Sequence, residues 1–575
     1  MKQNSPAVRA RLPLQALASL SVLCSIATTS QAQTPVQPQP APRFGIGDAL
    51  KETQPPAPPP RKPPPPLQIE RQDQRPLNLP AGDVLQVQSF RFEGADLIVE
   101  QELQAALAPY RGRALTMAEI EEAAGRVTAL YRDRGYMVAR AYVPRQDAQN
   151  GVLTIRILIG KFGQVTLKNQ SLVRDSVLRQ AFSPLRDGVA VSQASLERTM
   201  LVVGDMPGAQ LPRLTISPGQ AQGLSDFEVD IDAGPRIAGS VGLDNLDSEY
   251  TGKYRLSAGL EINSPFGLAD KLSLNMMGGR DSQLLNGRLA YAFPILGDGL
   301  RAEVAAAQTT YELGGAYADL GATGKARSLE GRLSYPLLRS QQQNLYVNLN
   351  LSARRLRDEI ALSQSVNPKK VRVGSLGAQY DAWGEVAGRA AFSTLGATVT
   401  YGHLDITDPA LAAQNRAGAD TVGNYGHVNF DATTSIELTP HWKLNAGLSA
   451  QKALGGKNLD SSEQMSISGR SGVKAYREAV SGDNAYLANV EVRYALPSWS
   501  GLTQALGVFT DIGRVHLQNG SYTTSNGTRL SDAGLGYYAS RQALFGQLQF
   551  AHGVGSRPPG ASGKTRVLAQ LGMVF

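Results

Sequence analysis

The stretch LYVNLNLSAR, residues 345–354, decides the fold of this chain. Apolar side chains occupy every second position, from Leu345 to Ala353, and polar or charged side chains occupy the positions between them. Because successive side chains of a β-strand point to opposite faces, the stretch predicts a strand with one apolar face and one polar face. A strand that crosses an outer membrane has this pattern, with its apolar face toward lipid and its polar face toward the lumen.

The same period of two recurs through the C-terminal part of the chain, for example in residues 254–262 and 488–494. These strands are about nine or ten residues long, whereas a soluble β-sandwich or β-solenoid usually has shorter ones. The last strand has one apolar face, formed by Val567, Ala569, Leu571, Met573 and Phe575. A terminal aromatic residue such as Phe575 is common in bacterial outer-membrane barrels and is expected to act as an assembly signal. At about 20 residues per strand and connection, residues 235–575 predict a barrel of roughly 16 antiparallel strands with a polar lumen.

The N-terminus has the pattern of an export signal. A basic segment precedes an apolar run at residues 12–26, and Ser30 and Ala32 are small residues at a suitable cleavage site. We therefore expect a signal peptide at residues 1–32, because the apolar run is too short to span a bilayer. Cys24, the single cysteine, lies inside this segment, so the mature chain is expected to have neither disulfides nor thiol chemistry.

The composition argues against several functional classes. No later stretch of about 18 residues is uninterruptedly apolar, so the sequence predicts no membrane-spanning helix. The 5 histidines show no ligand-like spacing and no glycine-rich phosphate loop is present, so we expect no metal site and no cofactor. The net charge of +8 is spread along the chain, which argues against a nucleic-acid partner. No constellation of catalytic residues is recognisable, so we expect a protein without enzymatic activity.

Residues 33–83 differ in composition from the rest of the chain. The tract PPAPPPRKPPPP at residues 55–66 cannot form a packed core and predicts an extended linker. Residues 44–53, FGIGDALKET, can form a short amphipathic helix. Composition alone favours a disordered tether for this segment.

Residues 84–234 predict two small α+β units in tandem, 84–161 and 162–234, each with the order β-α-α-β-β. In the first unit, Thr116 and Glu119 form a capping box that starts the second helix, and Gly135 ends it. The predicted strands of the first unit are residues 87–92, 137–143 and 152–159, and its first helix carries Leu103 and Leu107. The predicted elements of the second unit are strands 164–167, 211–216 and 227–231 and helices 173–182 and 193–203.

Several short segments of the second unit and of the first barrel strands occur in a characteristic order. They are Leu196-Glu-Arg198, Gly204-Asp-Met-Pro-Gly208, Ser217-Pro-Gly219, Gly223-Leu-Ser-Asp226, Leu243-Asp-Asn245, Tyr250-Thr-Gly252 and Asn263-Ser-Pro-Phe-Gly-Leu268. In order and spacing they resemble segments of the two-partner secretion transporters, the outer-membrane half of haemolysin- and adhesin-export pairs. The resemblance covers nearly the whole mature chain, and the two α+β units resemble the polypeptide-transport-associated (POTRA) domains of that family.

Two further motifs are similar to those with which family members hold a loop inside the barrel. The loop-tip motif is Val473-Lys474-Ala475-Tyr476, and the wall motif is Phe509-Thr510-Asp511-Ile512-Gly513. The resemblance implies that the cation of the tip pairs with Asp511 and locks the loop in the lumen. The family usually has arginine where this chain has Lys474, which offers one hydrated charge rather than a planar fork. The alternatives are a looser lock, a lock made by Arg470 or Arg477, and a lysine that is only a solvated loop residue.

The resemblance implies an outer-membrane transporter, with POTRA domains in the periplasm, that recognises an unfolded secreted partner and passes it through the barrel lumen. The implied partners are a large exoprotein of the filamentous haemagglutinin or haemolysin type, outer-membrane lipid and the barrel-assembly machinery. In that family a short N-terminal helix can plug the barrel, so both a plug and a tether remain open for residues 44–53. The alternative function is a barrel-assembly factor of the same superfamily, which would favour more periplasmic domains. A diffusion porin would have no reason to carry such domains.

Overall fold

The computed structural model describes residues 44–53, 69–71 and 84–575, with gaps at residues 147–148, 187, 222, 247, 249, 280–282, 470–471, 524–525 and 557–562. The predicted signal peptide, most of the predicted linker and Arg470 lie outside the described residues. Within these ranges, no helix is both long enough and apolar enough to cross a membrane.

The described residues form short helices, two groups of short strands and a set of long strands. The α-helices are α1 Ile46–Glu52, α2 Glu100–Ala106, α3 Met117–Asp133, α4 Asp175–Ala181, α5 Gln193–Gly204 and α6 Pro409–Ala417. The first strands are β1 Ile69–Arg71, β2 Val84–Val87, β3 Ser89–Glu93, β4 Arg113–Thr116, β5 Arg140–Tyr142, β6 Val152–Leu158, β7 Lys161–Asn169, β8 Arg213–Pro218 and β9 Leu224–Ile231. The following strands are β10 Ile237–Asp244, β11 Arg255–Asn263, β12 Lys271–Gly279, β13 Leu284–Pro294, β14 Arg301–Glu312, β15 Ala322–Arg339, β16 Gln343–Ile360, β17 Ser365–Val386, β18 Arg389–Ile406, β19 Gly423–Glu437, β20 Trp442–Leu454, β21 Met465–Ser466, β22 Ser481–Gly482, β23 Asn484–Trp499, β24 Leu502–His516, β25 Thr528–Arg541, β26 Leu544–Gly553 and β27 Thr565–Val574.

The C-terminal strands form a closed antiparallel barrel of sixteen strands, as predicted. Each strand pairs with its neighbours along the chain, and the ring closes where β27 pairs with β10, with Leu571 opposite Leu243. β20 pairs directly with β23, so the segment between these two strands does not contribute to the wall. The longest strand, β17, has 22 residues rather than the predicted nine or ten. The additional length arises because a strand can continue beyond the ~9–11 residues that lie in lipid.

The alternation of side chains gives the barrel an apolar outer face and a polar inner face. Leu329 and Val508 on the outer face are 65 % and 61 % exposed. On the inner face, Arg288 of β13 forms ion pairs with Glu303 of β14 and Glu330 of β15. An apolar exterior around a charged interior is the arrangement of an outer-membrane barrel with a polar lumen.

The first α+β unit follows the predicted order along the chain, apart from the additional short strand β4 between its two helices. Its helices pack against a sheet with the strand order β3-β6-β5. Leu103, Ile120 and Val127 are buried in its core. The predicted capping box is confirmed, because the Thr116 hydroxyl accepts from the Glu119 N–H at 3.3 Å and the Glu119 carboxylate accepts from the Thr116 N–H at 2.8 Å. The bond from the Thr116 backbone holds the pKa of Glu119 below its ordinary value.

Two features of this unit differ from the prediction. The segment predicted as one strand at residues 87–92 is divided at Gln88, and β2 pairs with β4 instead of joining the main sheet. The predicted strand 137–143 is reduced to β5, because residues 137–138 form a turn. This turn follows Gly135, whose positive φ of 90° reverses the chain after the helix.

The second α+β unit repeats the same order, and its elements agree with the prediction to within a few residues at each end. Its sheet contains β8, β9 and β7. The linker contributes a strand that was not predicted, since β1 joins the edge of this sheet parallel to β8, with Ile69 opposite Leu214.

The second unit packs against the turns at one end of the barrel. Arg339 donates to both carboxylate oxygens of Asp205, at 2.7 and 2.9 Å. The Glu197 carboxylate accepts from the Gln341 N–H at 2.6 Å. Asp205 and Glu197 belong to two of the segments that suggested the family, and these segments therefore form the junction between the unit and the barrel.

Candidate functional site

The segment between β20 and β23, residues 455–483 and hereafter the lumen loop, folds back into the barrel. Ile467, Val473 and Tyr476 of this loop are at most 1 % exposed and pack against the inner wall. Burial raises the pKa of the Tyr476 hydroxyl, and the charge of Asp532 adds to this effect, so the side chain stays neutral. The loop therefore occupies the lumen with a closely packed tip.

The tip of the lumen loop carries a cation that faces the wall motif. Lys474 Nζ lies 3.0 Å from Oδ1 and 2.7 Å from Oδ2 of Asp511, and 4.4 Å from the centre of the Phe509 ring. Phe509 and Asp511 lie on the same inner face of β24 and are both buried. A lysine has no planar fork, but here its ammonium group contacts both carboxylate oxygens and an aromatic face. Lys474 is thus itself the cation at Asp511 and is not a solvated loop residue.

Gly513, the last residue of the wall motif, provides space for the loop. A Cβ atom on Gly513 would lie 2.9 Å from the Cβ atom of Ile467, closer than two side-chain carbons can pack. Glycine at this position lets the loop lie directly against the strand. All three motif residues of β24, Phe509, Asp511 and Gly513, therefore face the lumen loop.

A second carboxylate beside Asp511 was not predicted from the sequence. Asp532 of β25 lies opposite Asp511 in the strand register and is fully buried. Its Oδ2 accepts from the Ala475 N–H at 2.7 Å, and its Oδ1 accepts from the Asp511 N–H at 3.3 Å. Asp532 thus holds the backbone of the loop tip, whereas Asp511 holds the side chain of Lys474. The sequence shows only an aspartate at an inward-facing position of the next strand, and this pattern does not distinguish a carboxylate with a partner from one that faces solvent.

The short helix α1 lies inside the same barrel. Phe44 and Ile46 are buried among side chains of the inner wall. The Ile46 N–H donates to Oδ1 of Asp358 on β16 at 2.9 Å, and Arg255 on β11 donates to the Glu52 carbonyl at 2.7 Å. Residues 44–53 are therefore a part of the barrel interior and not a free tether.

The C-terminal residue lies at the seam of the barrel. The Phe575 N–H donates to the Gly239 carbonyl at 3.0 Å, and the Phe575 carbonyl accepts from the Gly239 N–H at 2.8 Å. The Phe575 side chain is exposed on the protein surface. It therefore stands where the last strand joins the first.

A polar cavity of about 410 Å³ lies in the lumen beside α1. Its lining includes Arg288, Glu303, Glu330, Arg332 and Arg354. Ligand pockets for small molecules are mostly apolar, so this lining suits a water-filled passage better. In the part of the chain that the structure describes, no three His, Cys, Asp or Glu side chains are placed to share a metal ion.

Two family models match the chain. The model described as "Haemolysin secretion/activation protein ShlB/FhaC/HecB" matches residues 223–538, more than half of the chain. The model described as "POTRA domain, ShlB-type" matches residues 85–160, which coincide with the first α+β unit.

Individual proteins and solved structures are also similar to this chain. The heme/hemopexin transporter protein HuxB of Haemophilus influenzae (strain 86-028NP) is 26% identical over 447 residues, which cover 76% of this chain and 78% of that protein. The structure of CdiB from Escherichia coli is similar with a TM-score of 0.71 at 21% identity, and covers 86% of this chain and 91% of its own. BamA from Haemophilus ducreyi, lacking POTRA domains 1–3, has a TM-score of 0.50 at 14% identity, and covers 86% of this chain and 100% of its own. The chain belongs to the ShlB/FhaC/HecB family of haemolysin secretion/activation proteins, the outer-membrane transporters of two-partner secretion, and its POTRA domains lie on the periplasmic side.

Proposed function

We propose that this transporter carries an unfolded exoprotein of the filamentous haemagglutinin or haemolysin type through its barrel lumen to the cell surface. The observation that carries the proposal is a polar lumen filled by two internal segments, α1 and the lumen loop, neither of which belongs to the wall. A passage closed by segments that can move suits the controlled transfer of a chain. A diffusion porin, by contrast, has to remain open.

Recognition of the exoprotein is assigned to the two POTRA domains at the periplasmic mouth. An extended chain can add to a sheet edge and gain main-chain hydrogen bonds with little demand on its sequence. β5 and β7 are edge strands of the two described sheets. The periplasm offers no ATP, so folding of the emerging exoprotein outside the cell is the proposed bias on direction, and the transporter acts without catalysis.

The pair of Lys474 and Asp511 is the proposed lock of the lumen loop, with Asp532 as its backbone support. The pair is supported by its two short contacts and by the burial of Asp511. Phe575, at the seam of the barrel, is the proposed signal for the barrel-assembly machinery, and outer-membrane lipid is the proposed partner of the apolar outer face.

The alternative function is that of a barrel-assembly factor, since the fold is also similar to that of BamA. Such a factor would be expected to have a longer series of periplasmic domains, whereas the described residues contain two. The higher TM-score with CdiB also favours secretion.

Co-expression of this transporter with a candidate large exoprotein tests the proposed function. We expect the exoprotein in the culture medium when the transporter is present, and in the periplasm when it is absent. Retention in the periplasm, with the transporter assembled in the outer membrane, would contradict the assignment for that exoprotein. A general loss of outer-membrane proteins on depletion of the transporter would instead support the assembly factor.

Deletion of residues 44–53 is expected to raise the single-channel conductance of the purified barrel in planar bilayers. The reason is that α1 occupies the lumen beside the cavity of about 410 Å³. Removal of the helix joins the volume that it occupies to this cavity and widens the passage. A deletion of equal length in the proline tract, residues 55–64, shortens the linker but keeps the helix and serves as the control. Equal conductance of both proteins would show that α1 does not plug the lumen.

A further inference from the structure

The helix α1 contacts the lumen loop as well as the barrel wall. A Cβ atom on Gly47 would lie 2.5 Å from the backbone N of Ser462 and 2.6 Å from the carbonyl carbon of Ser461. Because these are backbone atoms that cannot rotate away, only glycine permits this approach. At the other end of the helix, Lys51 Nζ lies 2.9 Å from Ser481 Oγ. The helix therefore contacts both limbs of the lumen loop: the N-terminal limb, which contains Ser461 and Ser462, and the C-terminal limb, which contains Ser481.

The limb beneath α1 has its own ionic attachment to the wall. Lys369 Nζ of β17 lies 2.6 Å from Asp460 Oδ2, and Arg354 Nη2 of β16 lies 2.6 Å from Glu463 Oε1. The four side chains are buried or nearly so, with at most 19% exposed. His427 Nε2 lies 3.3 Å from the other oxygen of Glu463. These contacts are separate from the lock at the loop tip.

Asp460 connects this attachment to the turn that α1 contacts. Its Oδ1 accepts from the N–H and the hydroxyl of Ser462, at 3.1 and 2.9 Å, while its Oδ2 faces Lys369. Burial, the largest single effect, would raise the pKa of Asp460, but the ammonium group of Lys369 and the hydrogen bonds from Ser462 together outweigh burial and lower it. One charged carboxylate thus shapes the turn beneath Gly47 and fixes it to the wall.

We propose that residues 459–463 of the lumen loop are a seat for α1, held by the pairs Lys369–Asp460 and Arg354–Glu463, so that displacement of this limb releases the helix. This proposal rests on the proposed role of α1 as a plug, and it adds the contact that controls release of the helix. Because coupling between two sites is reciprocal, release of α1 also weakens the hold on the limb. An exoprotein that moves the limb aside therefore removes the plug in the same step.

Thiol labelling of α1 in the full-length transporter tests the seat. Ala49→Cys places a thiol at a position that is fully buried, and Cys24 is the single native cysteine. A bulky, water-soluble maleimide can react at this position only when α1 leaves its place, so the labelling rate reports the released fraction. In this background, Gly47→Ala and Lys369→Met are each expected to raise the rate by at least about tenfold.

Two matched variants control for effects unrelated to the seat. Gly45→Ala adds the same methyl group beside the start of α1, where a Cβ would lie 3.7 Å from Asp358 Oδ1, an ordinary contact. Lys271→Met removes a wall lysine whose ion pair with Glu261 is more exposed. Both are expected to leave the labelling rate within about twofold of the background.

The labelling experiment tests the seat, whereas the conductance experiment tests the plug, so either proposal can fail without the other. Labelling that stays at the background rate in both Gly47→Ala and Lys369→Met overturns the seat, even if deletion of α1 raises the conductance and the plug stands. The charge swap of Lys369→Asp with Asp460→Lys is expected to return the rate toward the background, and fast labelling in the swap would show that this pair does not hold the seat. If Lys369→Met fails to assemble, Gly47→Ala decides alone, because it leaves every charge in place.

Discussion

Secretion of the exoprotein is expected to fall by at least about tenfold when Asp511 is replaced by alanine. The side chain of Asp511 is 1% exposed and that of Lys474 is 21% exposed, so Asp511→Ala leaves an ammonium group without its partner in a confined site. Breaking a buried ion pair costs about 3–5 kcal/mol, against at most about 1 kcal/mol for an exposed pair. The measurement is the amount of exoprotein in the medium at equal levels of assembled transporter.

Related substitutions at this pair have graded expectations. Asp511→Glu should retain part of the secretion because it keeps the charge. Lys474→Arg should be tolerated or improve secretion, since a planar fork binds both carboxylate oxygens. The charge swap, Lys474→Asp with Asp511→Lys, should recover part of what either single substitution loses.

Asp532 is a second carboxylate near Lys474 and is expected to moderate the effect of these substitutions. In Asp511→Ala, Lys474 retains Asp532 as a neighbouring carboxylate, so secretion should fall further in the double variant Asp511→Ala/Asp532→Ala. Asp381→Ala removes another buried aspartate of the wall, near the periplasmic end of β17, and serves as the control. Full secretion by Asp511→Ala, or a double-mutant cycle in which Lys474 and Asp511 act additively, would refute the lock.

The barrel could be predicted because the alternation of apolar and polar residues is visible within each strand separately. In residues 345–354 every second side chain is apolar, and β16 contains this stretch with the expected faces. The ends of the strands could not be predicted in this way. Residues 355–360 are mostly charged and still belong to β16, because a strand outside the lipid needs no apolar face.

The candidate site could be predicted only where a motif marked it. The contact of Lys474 with Asp511 was implied by two motifs that resemble those of a family. The pair of Lys369 and Asp460 joins residues 91 positions apart, on a strand and a loop, and no local pattern connects them. A charge that faces a polar lumen has the same sequence pattern whether it meets solvent or a partner, so Asp532 was equally hidden.

The strand β1 in the linker could likewise not be predicted from the sequence. The proline-rich composition around residues 69–71 predicts an extended chain, and an extended chain has free backbone groups that can pair with a sheet edge. Composition does not say which edge is near enough to be paired. The structure shows that β8 is that edge.

Deletion of residues 84–234 is expected to abolish secretion while the barrel remains in the outer membrane. The wall closes through pairing of β10 with β27 and does not need the POTRA domains for its ladder. At the junction, the ion pair of Arg339 with Asp205 is lost, but the deletion also removes the domain that contacts Arg339, so water can hydrate the guanidinium group instead. The exoprotein, however, loses the surfaces proposed to recognise it.

A shorter deletion separates recognition from support of the barrel. Removal of residues 84–160 eliminates the first POTRA domain and keeps Asp205 and Glu197 at the junction with the barrel. If this domain takes part in recognition, secretion should fall strongly, although the contacts between the second domain and the barrel turns are retained. Assembly of both deletion variants is checked by heat-modifiable migration of the barrel in outer-membrane fractions. Undiminished secretion by the 84–234 deletion, with the barrel assembled, would place recognition outside the POTRA domains and overturn this mechanism.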